Sequence, residues 1–188
     1  MKESVIRTRI LEVASRLFYE QGYNSTGINQ IIQEAEIARG SLYNHFPSKR
    51  DLLTAYIQNS ENLWFMGLDE FLKPIEDPKQ KLLAMFDYRI DRQLRSKFGG
   101  CHFNKIGAEV SGDDLDAFVL VQHQKDRLKT YIMALLGLVT PVQPAAIGKE
   151  MLLDTLFLLM EGATVAASAY KDSQPLKDAR KIAEILLG

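Results

Sequence analysis

One short helical segment carries the side chains in this sequence that are best suited to binding another molecule. With a rotation of about 100° per residue, Leu42 faces inward, and Ala38 and Phe46, four residues to either side, join it. Gly40 and Asn44 then point directly away from that inward side. The outward face is therefore small and hydrogen-bonding, which suits a helix that enters the major groove of a DNA duplex.

The individual side chains on this face match groups that a duplex offers. Asn44 can pair with adenine, and Arg39, beside it, can pair with guanine. Ser41 and Tyr43 lie on the flanks, where they can reach phosphate oxygens. Gly40 lets the helix backbone approach the DNA closely. The residues alone leave an alternative open, in which Gly40 is a helix defect and Arg39 is an ordinary surface charge.

Neighbouring groups could hold such a helix against the phosphate backbone. The free N–H groups that follow Thr26 suit a phosphate, and His45 and Lys49 fall where the strand would pass. Residues 37–50 contain no acidic side chain, although the whole chain has a net charge of only −1. A basic stretch of this size is usually a solvated face, so it acquires meaning only together with the motif.

The elements that position these residues are helical throughout, which predicts an all-α fold. The first helix ends near Gly22, and Thr26 is a suitable N-cap for a short second helix. A third short helix runs from about Ala38 to His45, and Pro47 ends it. Two short helices joined by a tight turn and braced by a preceding helix form a helix-turn-helix. A bundle of about six helices should follow, over residues 49–72, 78–98, 102–110, 113–138, 145–171 and from 175 onward.

Composition is that of an ordinary globular protein, with 188 residues of which 46% are apolar and 25% are charged. The longest apolar run, Tyr131–Val139, is nine residues long, whereas a membrane-spanning helix needs about 20. No secretory signal follows Met1, and the single cysteine, Cys101, cannot form an internal disulfide. We therefore expect a soluble cytoplasmic protein without a membrane partner.

Three segments closely resemble the DNA-binding domain of TetR-family transcriptional regulators. They are residues 22–28 (GYNSTGI), residues 39–49 (RGSLYNHFPSK) and the pair Leu52-Leu53. The resemblance implies an all-helical homodimer, usually a repressor, whose second domain binds a small effector. Two residues depart from the pattern, since Glu36 stands where the turn usually has glycine and Ala38 where Ser or Thr often caps the helix. The DNA contacts implied by the resemblance are Thr26, Arg39, Gly40, Ser41, Tyr43, Asn44, His45 and Lys49.

The rest of the chain resembles the family more loosely. Residues 100–104 (GCHFN), with Glu109 beyond, and residues 159–163 (LMEGA) look like parts of a Gly-Cys subgroup that includes electrophile- and redox-responsive repressors. Cys101 follows two glycines at an expected helix N-terminus, where the helix dipole favours the thiolate. Two interpretations stay open: Cys101 is a sensor, or it is a small residue packed at a helix start.

Two further sets of residues complete the candidate sites. Aromatic and polar side chains within the bundle would line an effector pocket, because such sites are concave and mostly apolar. Small and apolar residues on the last two helices would let those helices approach a second copy, or would instead form a tight contact within the chain. The effector candidates are Trp64, Phe86, Arg89, Cys101, Phe103, Phe118, Gln122, His123, Phe157, Glu161 and Thr164. The dimer candidates are Gly162, Ala163, Ala166, Ala167, Ala179, Ile182 and Leu186.

No metal, cofactor or enzymatic activity is expected. His45, His102 and His123 fall on different predicted elements without ligand spacing, and no oxyanion-hole or phosphate-loop motif accompanies Cys101. We predict a DNA-binding domain in residues 1–48 and an effector-binding and dimerisation domain in residues 49–188. The hypothesis is a homodimeric regulator, most often a repressor, that binds a palindromic operator in double-stranded DNA. A small-molecule effector or modification of Cys101 would release it. The alternative is a helical interaction or scaffold protein that retains the three-helix module without binding DNA.

Overall fold

The computed structural model describes residues 2–110, 115–139 and 148–188. All regular secondary structure in these ranges is helical, which confirms the predicted all-α fold. The predicted starts of two helices, at residues 113 and 145, lie outside the described residues. The described helices are α1 Lys2–Glu20, α2 Ile28–Glu34, α3 Arg39–His45, α4 Lys49–Leu72, α5 Pro78–Arg95, α6 His102–Glu109, α7 Leu115–Leu138, α8 Lys149–Tyr170 and α9 Gln174–Leu187.

The chain forms two compact units, and neither is one continuous segment. Unit 1 comprises Met1–Leu63 and His102–Gln122, and unit 2 comprises Trp64–Cys101 and His123–Gly188. The division differs from the boundary predicted after residue 48, because the first half of α4 belongs to the core of unit 1. Tyr56 of α4 is buried there and packs edge-on against Phe18 of α1, with ring centroids 5.6 Å apart.

The core of unit 1 is formed by the apolar faces of its first three helices. Apolar residues at helical spacing on α1, including Ile10 and Phe18, are buried together with Ile31 of α2 and Leu42 of α3. The chain leaves α1 through Gly22, whose φ of +94° lies in the region that glycine adopts without strain.

The sequence suggested Thr26 as the N-cap of α2, but Thr26 does not cap this helix. Gly27 occupies the N-cap position, and no side chain caps the helix. The hydroxyl of Thr26 is buried and donates instead to the carbonyl oxygen of Gly22, at 2.7 Å. This hydrogen bond closes the turn between α1 and α2, so Thr26 orders the approach to the helix and does not terminate it.

Helix α4 begins and ends where the sequence predicts. The backbone N–H of Asp51 donates to Oγ of Ser48 at 3.1 Å, and that hydroxyl donates to the Asp51 carboxylate at 2.7 Å. The Ser48 hydroxyl thus satisfies one backbone N–H at the helix N-terminus that has no partner within the helix, and the Asp51 carboxylate holds that hydroxyl in place. Pro74 lies just beyond the last helical residue, Leu72.

Unit 2 is a helical bundle around one apolar cluster. Trp64, Phe65 and Leu68 from α4 pack with Leu82 and Phe86 from α5, and the later helices close the cluster. Helix α9 packs against both α5 and α8. Because α5 and α9 are far apart in the sequence, the order of the bundle depends on packing between distant parts of the chain.

Helix α8 stands out because it is apolar on nearly all faces and yet mostly exposed in the single chain. An 18-residue window in it has a mean hydropathy of 1.4, and only 28% of that window is buried. By length and composition alone this helix could cross a membrane. Uninterrupted apolar runs in the sequence do not reveal it, because scattered polar residues divide its apolar positions. Leu158 and Val165 are 66% and 56% exposed.

Candidate nucleic-acid interface

Helix α3 presents its polar face outward and buries its apolar face. Leu42 is completely buried and Phe46 is 2% exposed, whereas Asn44 and Gly40 are exposed and Tyr43 is 41% exposed. A Cβ atom added at Gly40 would meet no atom within 4 Å. The space in front of Gly40 is therefore open, and the backbone of α3 is accessible there.

The start of α3 corrects one detail of the predicted face. Ala38 was expected to point inward with Leu42, but it is exposed. It is the N-cap residue, with an extended backbone at φ −73° and ψ 148°, so the rotation of an ideal helix does not apply to it. No side chain caps α3.

The turn between α2 and α3 is held by Glu36 in a conformation that favours glycine. Its φ is 52°, in the left-handed region where a side chain costs about 1 kcal/mol. The Glu36 carboxylate accepts a hydrogen bond from Arg9 of α1 at 2.6 Å. The departure from glycine noted in the sequence thus coincides with a contact between the turn and α1.

Two of the candidate cations are engaged within unit 1. The guanidinium of Arg39 donates to Oδ1 of Asn29 on α2 at 3.1 Å, and this pair is exposed. Lys49 donates from Nζ to the carbonyl oxygen of Tyr23 at 2.6 Å and lies over the Tyr23 ring at 4.3 Å. Burial lowers the pKa of Lys49, although the carboxylate of Glu109 acts in the opposite direction. Ser41 and His45 are half-buried at the edges of α3.

Residues 10–56 match the family of bacterial regulatory proteins named tetR. A stretch of 79 residues is 53% identical to the HTH-type transcriptional regulator LmrA of Bacillus subtilis and covers 42% of each chain. The crystal structure of SCO4454, a TetR-family transcriptional regulator from Streptomyces coelicolor, is 25% identical. It has a TM-score of 0.86 and covers 98% of this chain and 95% of that one. Residues 10–56 therefore have the sequence of the TetR-family DNA-binding domain, and the described chain has the fold of a TetR-family regulator.

Similarity to curated relatives is concentrated in part of the molecule. An uncharacterised HTH-type regulator of Lactococcus lactis is 30% identical over 112 residues, which span 58% of this chain and 57% of that protein. The chain thus matches about half the length of these curated relatives. The matched proteins are regulators, and this confirms the expectation that the chain is not an enzyme.

In the TetR fold of this chain, unit 2 contains a buried polar cluster. Arg89 of α5 is 6% exposed and donates to Oγ1 of Thr164 at 2.8 Å and to the Glu161 carboxylate at 2.9 Å. Lys125 of α7 forms an ion pair with the other carboxylate oxygen of Glu161 at 2.6 Å. The Arg89 guanidinium lies over the Trp64 ring, with Cζ of Arg89 5.8 Å from the ring centroid.

Glu161 is the carboxylate that both cations of this cluster share. Burial by itself would raise the pKa of Glu161, but the attraction of Arg89 and Lys125 outweighs it, so its pKa lies below the usual value. Nε of Arg89 is buried and has no hydrogen-bond partner among the described residues. One strong donor of the cluster therefore remains available.

Cys101 lies at the edge of the same cluster. It directly precedes α6, is half-buried, and its Sγ is 4.0 Å from Nζ of Lys125. Lys125 was not among the predicted site residues. Its pairing with Glu161 joins residues 36 positions apart on different helices, and no local pattern in the sequence indicates such a contact.

The remaining effector candidates fall into different surroundings. Phe86 is fully buried in the core of unit 2, Phe157 packs against that core, and His123 is exposed. In unit 1, Phe103 is 3% exposed, Phe118 is 43% exposed and Gln122 is exposed. Of the predicted set, only Trp64, Arg89, Cys101, Glu161 and Thr164 lie in or beside the polar cluster.

The dimer candidates also divide by exposure. Ala167 and Ala179 are buried within the single chain, so their side chains pack inside unit 2. Ala163, Ala166 and Leu186 are half-buried, and Gly162 and Ile182 are exposed. A groove of about 480 Å³ runs along α8 and α9, with Leu158, Leu159, Gly162, Ala163, Pro175, Ala179 and Ile182 in its lining. Within the described ranges, no group of three His, Cys, Asp or Glu residues could hold a metal ion.

Proposed function

We propose that the chain is a homodimeric transcriptional repressor that reads a palindromic operator with α3. The observation that carries this proposal is the exposed face of Gly40, Tyr43 and Asn44 on a helix anchored by buried Leu42 and Phe46. Arg39 and Asn44 would contact base edges, and Ser41, Tyr43, His45 and Lys49 would contact the phosphate backbone together with the chain at Thr26. The protein would act in the cytoplasm.

A second copy of the chain supplies the second reading helix in this proposal. The exposed apolar residues of α8 and α9, Leu158, Val165, Ile182 and Ile185, would be covered by the same surface of the partner. Gly162, Ala163 and Ala166 would let the helices approach closely. Two copies of α3 would then lie about 34–36 Å apart and meet successive turns of one side of the duplex. Sedimentation at graded protein concentrations should show a dimer, and a strictly monomeric chain would contradict this interface.

The effector site of this proposal is the cluster of Arg89, Lys125, Glu161 and Thr164. The free Nε of Arg89 would donate to an acceptor on the ligand, and Trp64 would provide an apolar wall. An effector acts only by binding two conformations with different affinity, and a coupling of about 1–3 kcal/mol changes operator affinity about 5–150-fold. Because α4 contributes residues to both units, it is the element proposed to carry the shift to α3.

Modification of Cys101 is an alternative way to release the operator. An electrophile that alkylates the thiol would add bulk beside Lys125, whose Nζ lies 4.0 Å from the sulfur. Cys101→Ser would remove this response and leave operator binding intact. Unchanged release of the Cys101→Ser variant by the same electrophile would exclude Cys101 as the sensor.

The central experiment is a titration of the purified chain against DNA from upstream of its own coding region, at two salt concentrations. Binding should be sequence-specific and should weaken steeply as salt increases, because phosphate contacts release counterions. Absent or salt-insensitive binding would favour the alternative, a helical scaffold protein that retains the three-helix module without using it on DNA.

A further inference from the structure

A single carboxylate at the end of α6 holds the backbone of the turn between α1 and α2. Oε2 of Glu109 accepts a hydrogen bond from the backbone N–H of Asn24 at 2.9 Å. The amide of the Asn24 side chain donates in turn to the backbone carbonyl oxygen of Glu109 at 2.8 Å. The turn and the end of α6 are therefore joined by two hydrogen bonds that span 85 residues of sequence.

The carboxylate also lies directly against Gly22. A Cβ atom added at Gly22 would be 2.7 Å from Oε1 of Glu109, which is closer than real Cβ contacts come. The positive φ of Gly22, +94°, independently requires glycine at this position. The sequence therefore leaves room at Gly22 for the Glu109 carboxylate, and any side chain there would displace it.

Two other residues of α6 hold this short helix in place. The ring of His102 stacks on Tyr19 of α1 with centroids 4.0 Å apart, and its Nδ1 forms a hydrogen bond with the Tyr56 hydroxyl at 2.8 Å. Lys105 donates to the carbonyl oxygen of Tyr19 and lies over the Tyr19 ring at 4.6 Å. Because His102 and Lys105 anchor α6 to α1, the position of Glu109 is well defined.

Lys49 holds the same turn from the N-terminus of α4. Its Nζ donates to the carbonyl oxygen of Tyr23, while Glu109 accepts from the next residue, Asn24. Consecutive backbone groups of the turn are thus held by a cation and an anion from two different helices. Thr26 and Gly27 follow immediately and lead into α2, so the turn sets where the N-terminus of α2 lies relative to α3.

We propose that Glu109 is a positioning residue for operator binding. It lies well outside residues 10–56, which match the family, and it acts through the backbone of residues 22–24. A direct contact with DNA is unfavourable for a carboxylate, because phosphate carries the same sign of charge. This inference rests on the proposed function, since it concerns how the DNA-reading surface is held.

Three substitutions at Glu109 separate the position of the acceptor from its charge. Glu109→Gln removes the charge and retains an oxygen that can accept from Asn24. Glu109→Asp retains the charge but withdraws the oxygen by one methylene group. Glu109→Ala removes both. Asp116→Asn is the matched control, because Asp116 is an exposed carboxylate of the same unit that pairs with Arg50 at 3.1 Å.

Operator affinity of the full-length chain is measured for each variant at several salt concentrations, together with thermal unfolding. Glu109→Ala and Glu109→Asp should weaken binding about tenfold, as loss of a hydrogen bond to a charged group does. Glu109→Gln and Asp116→Asn should stay within about threefold of the wild type. The dependence of affinity on salt should be the same for all, because none of these substitutions removes a cation that would contact phosphate.

Each other outcome has a definite meaning. Wild-type affinity in both Glu109→Ala and Glu109→Asp would overturn the positioning role while the proposed function stands. A weakened Glu109→Gln beside a normal Glu109→Asp would overturn it in favour of a purely electrostatic effect. A shallower salt dependence would show that a phosphate contact, and not the turn, had been lost. A wild-type chain that binds no DNA would overturn the proposed function and this inference with it. If Glu109→Ala fails to fold, Glu109→Asp carries the test.

Discussion

The polar side chains of the candidate site in unit 1 are exposed, whereas the polar cluster of unit 2 is buried. In unit 1, the polar face of α3 is exposed, with Tyr43 at 41%, and the apolar residue Leu42 lies fully buried behind it. In unit 2, Arg89 is 6% exposed, and its partner Glu161 is 16% exposed at the side chain. One unit presents its hydrogen-bonding groups to solvent, and the other encloses them.

This difference separates what a substitution should change in each unit. An exposed polar group loses little hydration on folding, so its removal leaves stability almost unaltered and shows itself only when a ligand binds. A buried ionic group must stay paired, because an uncompensated charge in a protein interior is costly. We therefore expect substitutions on α3 to change DNA binding, and substitutions in the cluster to change the free energy of unfolding.

The largest effect is expected for Glu161→Gln. The substitution leaves Arg89 and Lys125 without their shared anion, and loss of one partner of a buried ion pair costs about 3–5 kcal/mol. Because Lys125 is 19% exposed and can regain some hydration, we expect a cost near the lower end of this range, about 3 kcal/mol, measured by denaturant unfolding at one protein concentration.

Asp154→Asn is the control, since Asp154 pairs with Lys129 between the same two helices but is 57% exposed. It should cost less than about 1 kcal/mol. Equal costs for the two variants would contradict the contrast between the units.

The lowered pKa of Glu161 predicts that the free energy of unfolding depends on pH. Because the folded-state pKa of Glu161 is lowered, its contribution is complete above the unfolded value of about 4.3 and is lost as the pH falls through the folded value. The stability difference between the wild type and Glu161→Gln should therefore shrink as the pH is lowered below about 4.3. A difference that stays constant down to the acid transition would show that Glu161 contributes by packing and not by charge.

The second prediction concerns Tyr43→Ala on the exposed face of α3. The variant should bind the operator about fivefold less tightly, which corresponds to the loss of about 1 kcal/mol for one phosphate contact. The dimer and the free energy of unfolding should stay unchanged, because Leu42 and Phe46 still anchor the helix. Tyr170→Ala removes a tyrosine that is 77% exposed on α8 and should leave operator affinity unaltered. Retained wild-type affinity in Tyr43→Ala would remove Tyr43 from the interface.

What the sequence could and could not predict depends on how far apart the contacting residues are in the sequence, and not on the unit that contains them. The outward face of α3 and both ends of α4 were predictable, because they depend on helical periodicity and on the nearby pair Ser48 and Asp51. The contacts of Lys125 with Glu161 and of Glu109 with Asn24 were not, because they join residues 36 and 85 positions apart.

Even local reasoning failed where the backbone leaves the helical conformation. Ala38 was expected to be buried and Thr26 was expected to cap α2. An extended N-cap residue exposes the first, and a hydrogen bond to Gly22 uses the hydroxyl of the second.

The third prediction separates stability from binding at one position, Gly40. Alanine is favoured over glycine within helices by up to about 1 kcal/mol, and a Cβ atom at Gly40 meets nothing within 4 Å. Gly40→Ala should therefore be at least as stable as the wild type and yet bind the operator several-fold less tightly, because the methyl group stands between α3 and the groove. Gly137→Ala on α7 is the control, since that glycine also has open space before it. It should gain stability without losing affinity. Unimpaired binding by Gly40→Ala would mean that α3 does not approach DNA at this point.

The smallest effect is expected for the turn that joins α2 and α3. Glu36→Gly relieves a left-handed conformation that costs a side chain about 1 kcal/mol. It also increases the freedom of the unfolded chain and removes the exposed ion pair between Glu36 and Arg9, which is worth at most about 1 kcal/mol. These terms nearly cancel, so we expect the free energy of unfolding to change by less than about 0.5 kcal/mol. Glu36→Ala keeps the strain and loses the ion pair, so it should be the least stable of the three proteins in thermal unfolding. Equal losses of stability in Glu36→Gly and Glu36→Ala, relative to the wild type, would show that the contact with Arg9, and not the backbone conformation, controls this turn. Unit 1 would then also depend on a charged pair for its stability, and the contrast with unit 2 would weaken.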